Sequence, residues 1–432
     1  MQRSLEIALR LCAFLWLAVA TPRPTTASAA DWPHIHGPHL NRTTPETVPA
    51  ENFAQIKDRQ IWQFSCECGF SSFVSGGGNV YTVVAKSLDG EDREVCLAHD
   101  QKTSHMRWSL ALGKAEYDGG GDSGAGSNRG GDGPRATPTY ADGRLFILDA
   151  HLKLWAIDAA NGRLLWTRDL VGEFGGKVIH WQNAASPLRY RDAILVAGGG
   201  KGQTYLSFDA ATGKLHWKAG DDTITHATPV GAIIAGKPQA IFMMHRGIVA
   251  IDPENGEELW HFPFPFNVST AASPVVWNNI VYCSAGYDVG AAACRVTATA
   301  SGGLEVEELW RAPGNKLLAN HWSTPVCVDG FLYGIYDFKK YGKNPLKCVD
   351  LRTGEIQWEE PGFGQGNLIL TGENRLLVLA DYGTLTLVQA NPKQYVKLGE
   401  ADVIEGKCWS TPMIADGVIY VRSTTQGVAL KP

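Results

Sequence analysis

Four segments of the chain share the pattern Asp-x-x-x-Gly-x-x-x-Trp: Asp158, Gly162 and Trp166; Asp209, Gly213 and Trp217; Asp252, Gly256 and Trp260; Asp350, Gly354 and Trp358. A repeat of this kind constrains the fold more than any local propensity. Each unit must bury its apolar face on its neighbours, so the units have to stack or close into a ring. Asp100 and Trp108 keep the spacing with Ser104 at the Gly position. Gln389, Lys393 and Lys397 hold the places in a worn copy, and Trp310 ends another whose first half is lost in residues 299–307. The turn chemistry is specific: Asp accepts from backbone N–H groups two residues on, and Gly takes the positive φ that closes a tight hairpin. The Trp four residues later then falls on an outer strand, where it buries a large apolar area against the next unit.

A second marker opens each unit: Ser or Thr followed by Pro, at Thr137, Ser186, Thr228, Ser273, Thr324 and Thr411. Ser72-Phe73 and Asn367-Leu368 hold the same register without Pro, which makes eight units. Within a unit the residues read as four short strands. In the third, Pro187 opens an inner strand, 193–197 and 205–209 form the next two, and 214–218 the outer one. Hydrophobic residues are 44% of the chain and charged residues only 19%, with 48 Gly and 14 Trp, as expected for a turn-rich β protein. The fold class expected is all-β: an eight-bladed β-propeller of four-stranded blades over residues 60–432. The last unit ends near Leu430 with no Gly-x-x-x-Trp, whereas residues 60–64 carry Trp62 with no unit before them. Residues 60–64 are therefore expected to close the ring as the missing outer strand, removing two open sheet edges.

Residues 1–30 read as a signal peptide: Arg3 and Arg10, the apolar run 11–20, and the small-residue site Ala27-Ser28-Ala29. A secreted or periplasmic protein is expected. Cys12 precedes the apolar run in the wrong context for lipidation, so no lipoprotein anchor is expected. No later stretch is long enough to span a membrane. The net charge of −5 gives no pull toward nucleic acid, and a monomer is expected. Residues 31–59 read as an irregular arm wrapping the propeller, with His34, His36 and His39 as surface histidines rather than a metal site. Cys283 and Cys294 are the best disulfide pair; free buried thiols are the alternative.

The units resemble the PQQ-like (quinoprotein-type) propeller repeat, most fully over residues 152–166. The resemblance extends to the exported outer-membrane barrel-assembly type of propeller, and implies a non-catalytic scaffold for partner proteins. Trp32-Pro33-His34-Ile35-His36-Gly37-Pro38 resembles the Trp-Pro-x-x-x-Gly-Pro lead-in of exported Planctomycetes-type relatives, with His36 in place of Arg. The same repeat family implies an alternative, a PQQ-dependent dehydrogenase acting on an alcohol or sugar. That pattern implies a quinone between a Trp and a vicinal disulfide, and a calcium ion. Cys66-Glu67-Cys68 is the nearest match here, so no cofactor is expected under the leading reading. A lyase or hydrolase is a third option, without residues to carry it.

Loops from each outer strand to the next inner strand converge on one face. They carry Arg135, His180-Trp181-Gln182-Asn183, His226, Asn320-His321-Trp322, and Lys407 with Trp409. These are the candidate ligand-binding residues, expected to face each other across a funnel; alternatively they plug the channel and bond one another. The Gly-rich insert 118–133 is expected on the same face as a flexible loop. The function expected is binding of an envelope protein partner or a small ligand.

Overall fold

Each marker opens an inner strand, and the turns after it fold three more strands back as antiparallel hairpins. The computed structural model of the protein describes residues 31–117, 133–338 and 342–432. The expected signal peptide and all of the insert except Gly133 lie outside the described residues. Eight four-stranded antiparallel sheets stand as blades around a central axis. Blades 1 to 7 span residues 74–114, 139–169, 188–219, 230–263, 275–313, 326–360 and 367–402. Blade 8 combines residues 413–430 with the N-terminal strand Gln60–Ser65. No described helix is long and apolar enough to cross a membrane.

The repeat residues lock neighbouring blades together. Trp108, Trp166, Trp217, Trp310 and Trp358 each donate Nε1–H to a backbone carbonyl in the third turn of the next blade, at 2.7–3.2 Å. The Gly of that turn lies against the same indole: a Cβ on Gly162 would meet Trp108 at 2.7 Å, and one on Gly213 would meet Trp166 at 2.6 Å. The glycine is thus required twice, for its positive φ and for the close approach of the preceding blade's Trp. Trp260 is the exception. Blade 5 has lost the Asp and Gly of its turn, and Trp260 instead donates to Gln239 in its own blade at 2.7 Å.

The Ser/Thr-Pro markers do more than start strands. The amide of Ser72 donates to the Thr137 hydroxyl, Thr137 to Ser186, Ser186 to Thr228, Ser273 to Thr324 and Thr411 to Ser72, all at 2.9–3.0 Å. This girdle of hydroxyls ties successive inner strands around the axis.

Closure is by the N-terminal strand, as expected: Trp62 pairs with Ala429 and Ser65 with Gln426. Trp62 donates to the carbonyl of Gln101 in blade 1 at 3.0 Å. Arg422, fully buried in blade 8, donates to the carbonyls of Ser71, Val83, Glu67 and Gly69 and to the Thr82 hydroxyl, stitching the seam from inside.

Two expectations need correction. The arm does not wrap the outside; it runs across the axis at the end opposite the candidate loops. Trp32 exchanges hydrogen bonds with Ser75 in blade 1, Pro33 accepts from Tyr140 in blade 2, and Thr44 donates to Leu370 in blade 7. His34 and His36 are consequently buried, each 2% exposed, not surface histidines. The described cysteines are free thiols. Cys283 faces Ala292 and Cys294 faces Val281, so the pair is two residues out of register. Burial raises both thiols, Cys294 to about 12.

Candidate functional site: an aromatic funnel with an arginine floor

Because each inner strand starts at the end where the loops converge, the girdle forms a neck and the loops flare above it. They enclose a cavity of about 480 Å³ on the axis. Of the candidate residues, Arg135, Trp181, His226, His321, Trp322 and Trp409 line it. The others support the loops. Asn183 is buried and donates to the carbonyls of Leu148 and Ala185. Asn320 donates to the Ile335 carbonyl and accepts from the Tyr282 hydroxyl. Gln182 is buried, His180 lies tilted 4.4 Å from Trp181, and Lys407 holds its ammonium 4.8 Å from the Trp409 ring.

An aromatic belt follows the wall. Trp181 stacks on Tyr287 at 5.9 Å, Tyr287 meets His321 edge-on at 5.2 Å, and His321 meets Trp322 at 4.9 Å. Trp322 lies 4.6 Å from Trp409, which stacks on Phe70 at 4.8 Å. Offset and edge-on contacts at these distances are the favourable aromatic geometries, and they leave ring faces to line the cavity. Trp181 and Tyr287 both hold positive φ, 67° and 57°, a conformation uncommon for large side chains.

The floor comes from the arm. His36 and Arg42 line the bottom of the cavity, and both also line a groove on the far side, so they form a septum across the channel. Arg42, 3% exposed, donates from Nη1 to the Thr324 carbonyl at 3.1 Å and to Asn367 Oδ1 at 2.9 Å, and from Nε to His36 Nδ1 at 3.3 Å. With Nδ1 accepting, His36 is neutral and donates from Nε2 to Ser273 at 3.0 Å. Sequence reasoning missed His36, Arg42, Phe70 and Tyr287. The arm lies outside the repeat, so no periodicity pointed to its two floor residues.

His226 is a fixed neutral imidazole. The His180 carbonyl can only accept, so Nε2 carries the proton at 3.0 Å, and Nδ1 accepts from the Ser269 hydroxyl. Burial and then the nearby Arg135 hold its pKa down to about 3. Both ring nitrogens are committed, and the ring is no proton acceptor at neutral pH.

Behind Arg135 lies a buried acid. Glu94 accepts from the Tyr117 hydroxyl at 2.6 Å and from the Ala150 amide at 3.2 Å. Burial first, and the nearby Asp149 second, push it up to about 8. The native state therefore keeps a proton that the unfolded chain loses near its ordinary value of 4.5. Stability contributed by this group is greatest below the unfolded value and falls as pH rises toward 8. Glu94→Gln is expected to flatten that decline and to melt higher than the parent at pH 8 but not at pH 4. Parallel declines of the two proteins in thermal melts across this range would refute the assignment.

The described residues do not fit a calcium-bound quinone. Cys66 and Cys68 are separated by Glu67 and lie outside the cavity lining. Among the described residues no lining residue is a carboxylate, and no group of three or more His, Cys, Asp or Glu could hold a metal ion.

Comparison with known proteins places the chain. Residues 52–360 match the family described as outer membrane protein assembly factor BamB. The curated BamB of Shewanella oneidensis is 23% identical over 256 residues, which cover 56% of this chain and 61% of that protein. The match thus spans less than two thirds of the relative. The crystal structure of BamB from Moraxella catarrhalis superposes with a TM-score of 0.57 at 13% identity, covering 86% of this chain and 99% of that one. The quinohemoprotein alcohol dehydrogenase of Comamonas testosteroni superposes with a TM-score of 0.63 at 14% identity, covering 93% and 80%. Identities this low show a shared propeller fold and nothing about chemistry. The family match covers more than half of the chain, and on that ground the protein belongs to the BamB family of PQQ-like propellers.

Proposed function

We propose that the protein is an exported, non-catalytic binding scaffold of the cell envelope, and that its funnel face is the binding surface. The make-up of the funnel carries this reading. An aromatic belt and two arginines converge there, and among the described residues the lining holds no carboxylate to act as base and no metal-binding group. Aromatic residues and Arg are the side chains that anchor partners most strongly. Four exposed apolar residues, Val178, Val268, Leu317 and Tyr382, stand on loops of the same face and suit a protein partner. The family's name, an assembly factor for outer membrane proteins, points the same way.

The test has two arms. Purified protein titrated with PQQ and calcium is expected to show no dye reduction with alcohols or sugars; turnover would establish the dehydrogenase alternative. In pull-downs from envelope extracts, substituting His321 and Trp322 together is expected to weaken capture of whatever partner the parent retains. Unchanged capture would mean that these residues only fill the channel.

A further inference from the structure

We infer that the floor of the funnel is an anion-recognition site, and that it takes a small, flat, apolar molecule bearing one carboxylate. The inference rests on the reading of the funnel as a binding site and adds the ligand's chemistry.

Arg42 carries the argument. It is almost wholly buried, yet no acidic side chain among the described residues meets it: its hydrogen bonds go to a carbonyl, an amide oxygen and an imidazole, all neutral. Those bonds use Nε and Nη1, so Nη2 has no acceptor among the described residues. Arginine keeps its proton in proteins, so the charge persists. Burial alone pulls its pKa down, to about 9, with no counter-charge to raise it. A buried cation without a counter-ion is costly, and structures keep one where something neutralises it. The neutral donors and acceptors around Arg42 fix the guanidinium but leave that role open on the cavity side.

The surroundings select the rest of the ligand. Arg135 is the other cation of the lining, and its Nη1 is held by the Trp181 carbonyl at 2.7 Å. The chain as a whole has 44 Asp and Glu against 39 Lys and Arg. The described lining, with two arginines and no carboxylate, runs against that balance. Its field attracts an anion and repels a cation. Above the floor, the rings of Trp181, Tyr287, Trp322 and Trp409 line the wall and favour a flat apolar body. A volume of about 480 Å³ holds one such molecule and excludes a folded protein segment. The floor arginine also sits at φ 62°, a left-handed backbone in a stretch of arm that three bonds tie to blades 5 to 7, one from His36 and two from Arg42.

Three indoles in the lining supply the signal for the test. Quenching of tryptophan fluorescence is titrated at pH 7 with 2-naphthoate and with 2-naphthamide, which share a shape and differ in charge. Naphthoate is expected to bind at least tenfold more tightly. Arg42→Gln is expected to abolish the preference while leaving naphthamide within about twofold. Trp322→Ala is expected to weaken both. Equal binding of the two probes by the parent protein, or binding of neither, overturns the inference without need of a variant. So does a naphthoate preference that survives Arg42→Gln. In each of those cases a partner still captured through His321 and Trp322 would leave the scaffold reading standing.

Discussion

Trp62→Ala is expected to lower the melting temperature at least as much as Trp217→Ala. Both indoles occupy the outer-strand position and donate to a carbonyl of the next blade. They differ in what depends on them. Trp217 joins blades 3 and 4, which the chain connects directly. Trp62 joins the first strand of the propeller to blade 1 while its own strand pairs with residues 426–430. The chain runs from that strand straight into blade 1, but nothing covalent ties it to residues 426–430, so the strand pairing and the side chains packed across it must offset the entropy of closing a very long loop. Trp62 is also the more buried of the two, at 7% exposure, and its ring contacts Phe64 at 5.5 Å and Tyr420 at 5.7 Å. Truncating a buried Trp typically costs about 3–5 kcal/mol. Opening this seam would in addition expose the edge of the strand Gln426–Leu430, a template for pairing with another chain. The expected signature is a lower midpoint together with concentration-dependent aggregation, absent from Trp217→Ala. A smaller loss at Trp62 would count against closure by residues 60–65.

How far the sequence was legible follows from the same distinction between repeated and unique contacts. Asp, Gly and Trp recur because the same inter-blade contact is made again and again, so the ring and its closure could be read from spacing. The hydroxyl of each Ser/Thr-Pro marker was visible, but its role needs the ring: it accepts from a residue one blade away, 42 to 65 positions distant in the paired cases. The funnel was legible in part. Trp181, His321, Trp322 and Trp409 sit in loops two to five residues before the markers, and the topology alone converges them. Asn183 and Asn320 share those loops, yet their amides are spent on backbone carbonyls, and composition does not separate the two uses. His36 and Arg42 were not legible. Histidine, arginine and proline in an aperiodic arm read as solvated, and only the course of the chain across the axis buries them.

Gly213→Ala is expected to destabilise the protein by about 1–3 kcal/mol more than Gly236→Ala, the range for forcing extra volume into a packed contact. The two positions make the comparison clean. Gly213 has φ +69° and Gly236 has φ +77°, so an alanine suffers the same left-handed strain, roughly 1–2 kcal/mol, at either one. Around Gly236 no atom lies within 4 Å of the added methyl, whereas at Gly213 it would stand 2.6 Å from the Trp166 ring. The ring has little freedom to retreat, since its Nε1 is bound to the Ala210 carbonyl and its face meets Phe146 at 5.9 Å. The excess should therefore belong to the pair and not to the glycine. In a Trp166→Ala background the methyl finds space, and Gly213→Ala should cost no more than Gly236→Ala. A double-mutant cycle by denaturant unfolding measures that coupling directly. Coupling near zero would mean that glycine serves this turn for φ alone, and the repeat would lose its reading as one inter-blade lock made of Gly on one blade and Trp on the blade before it.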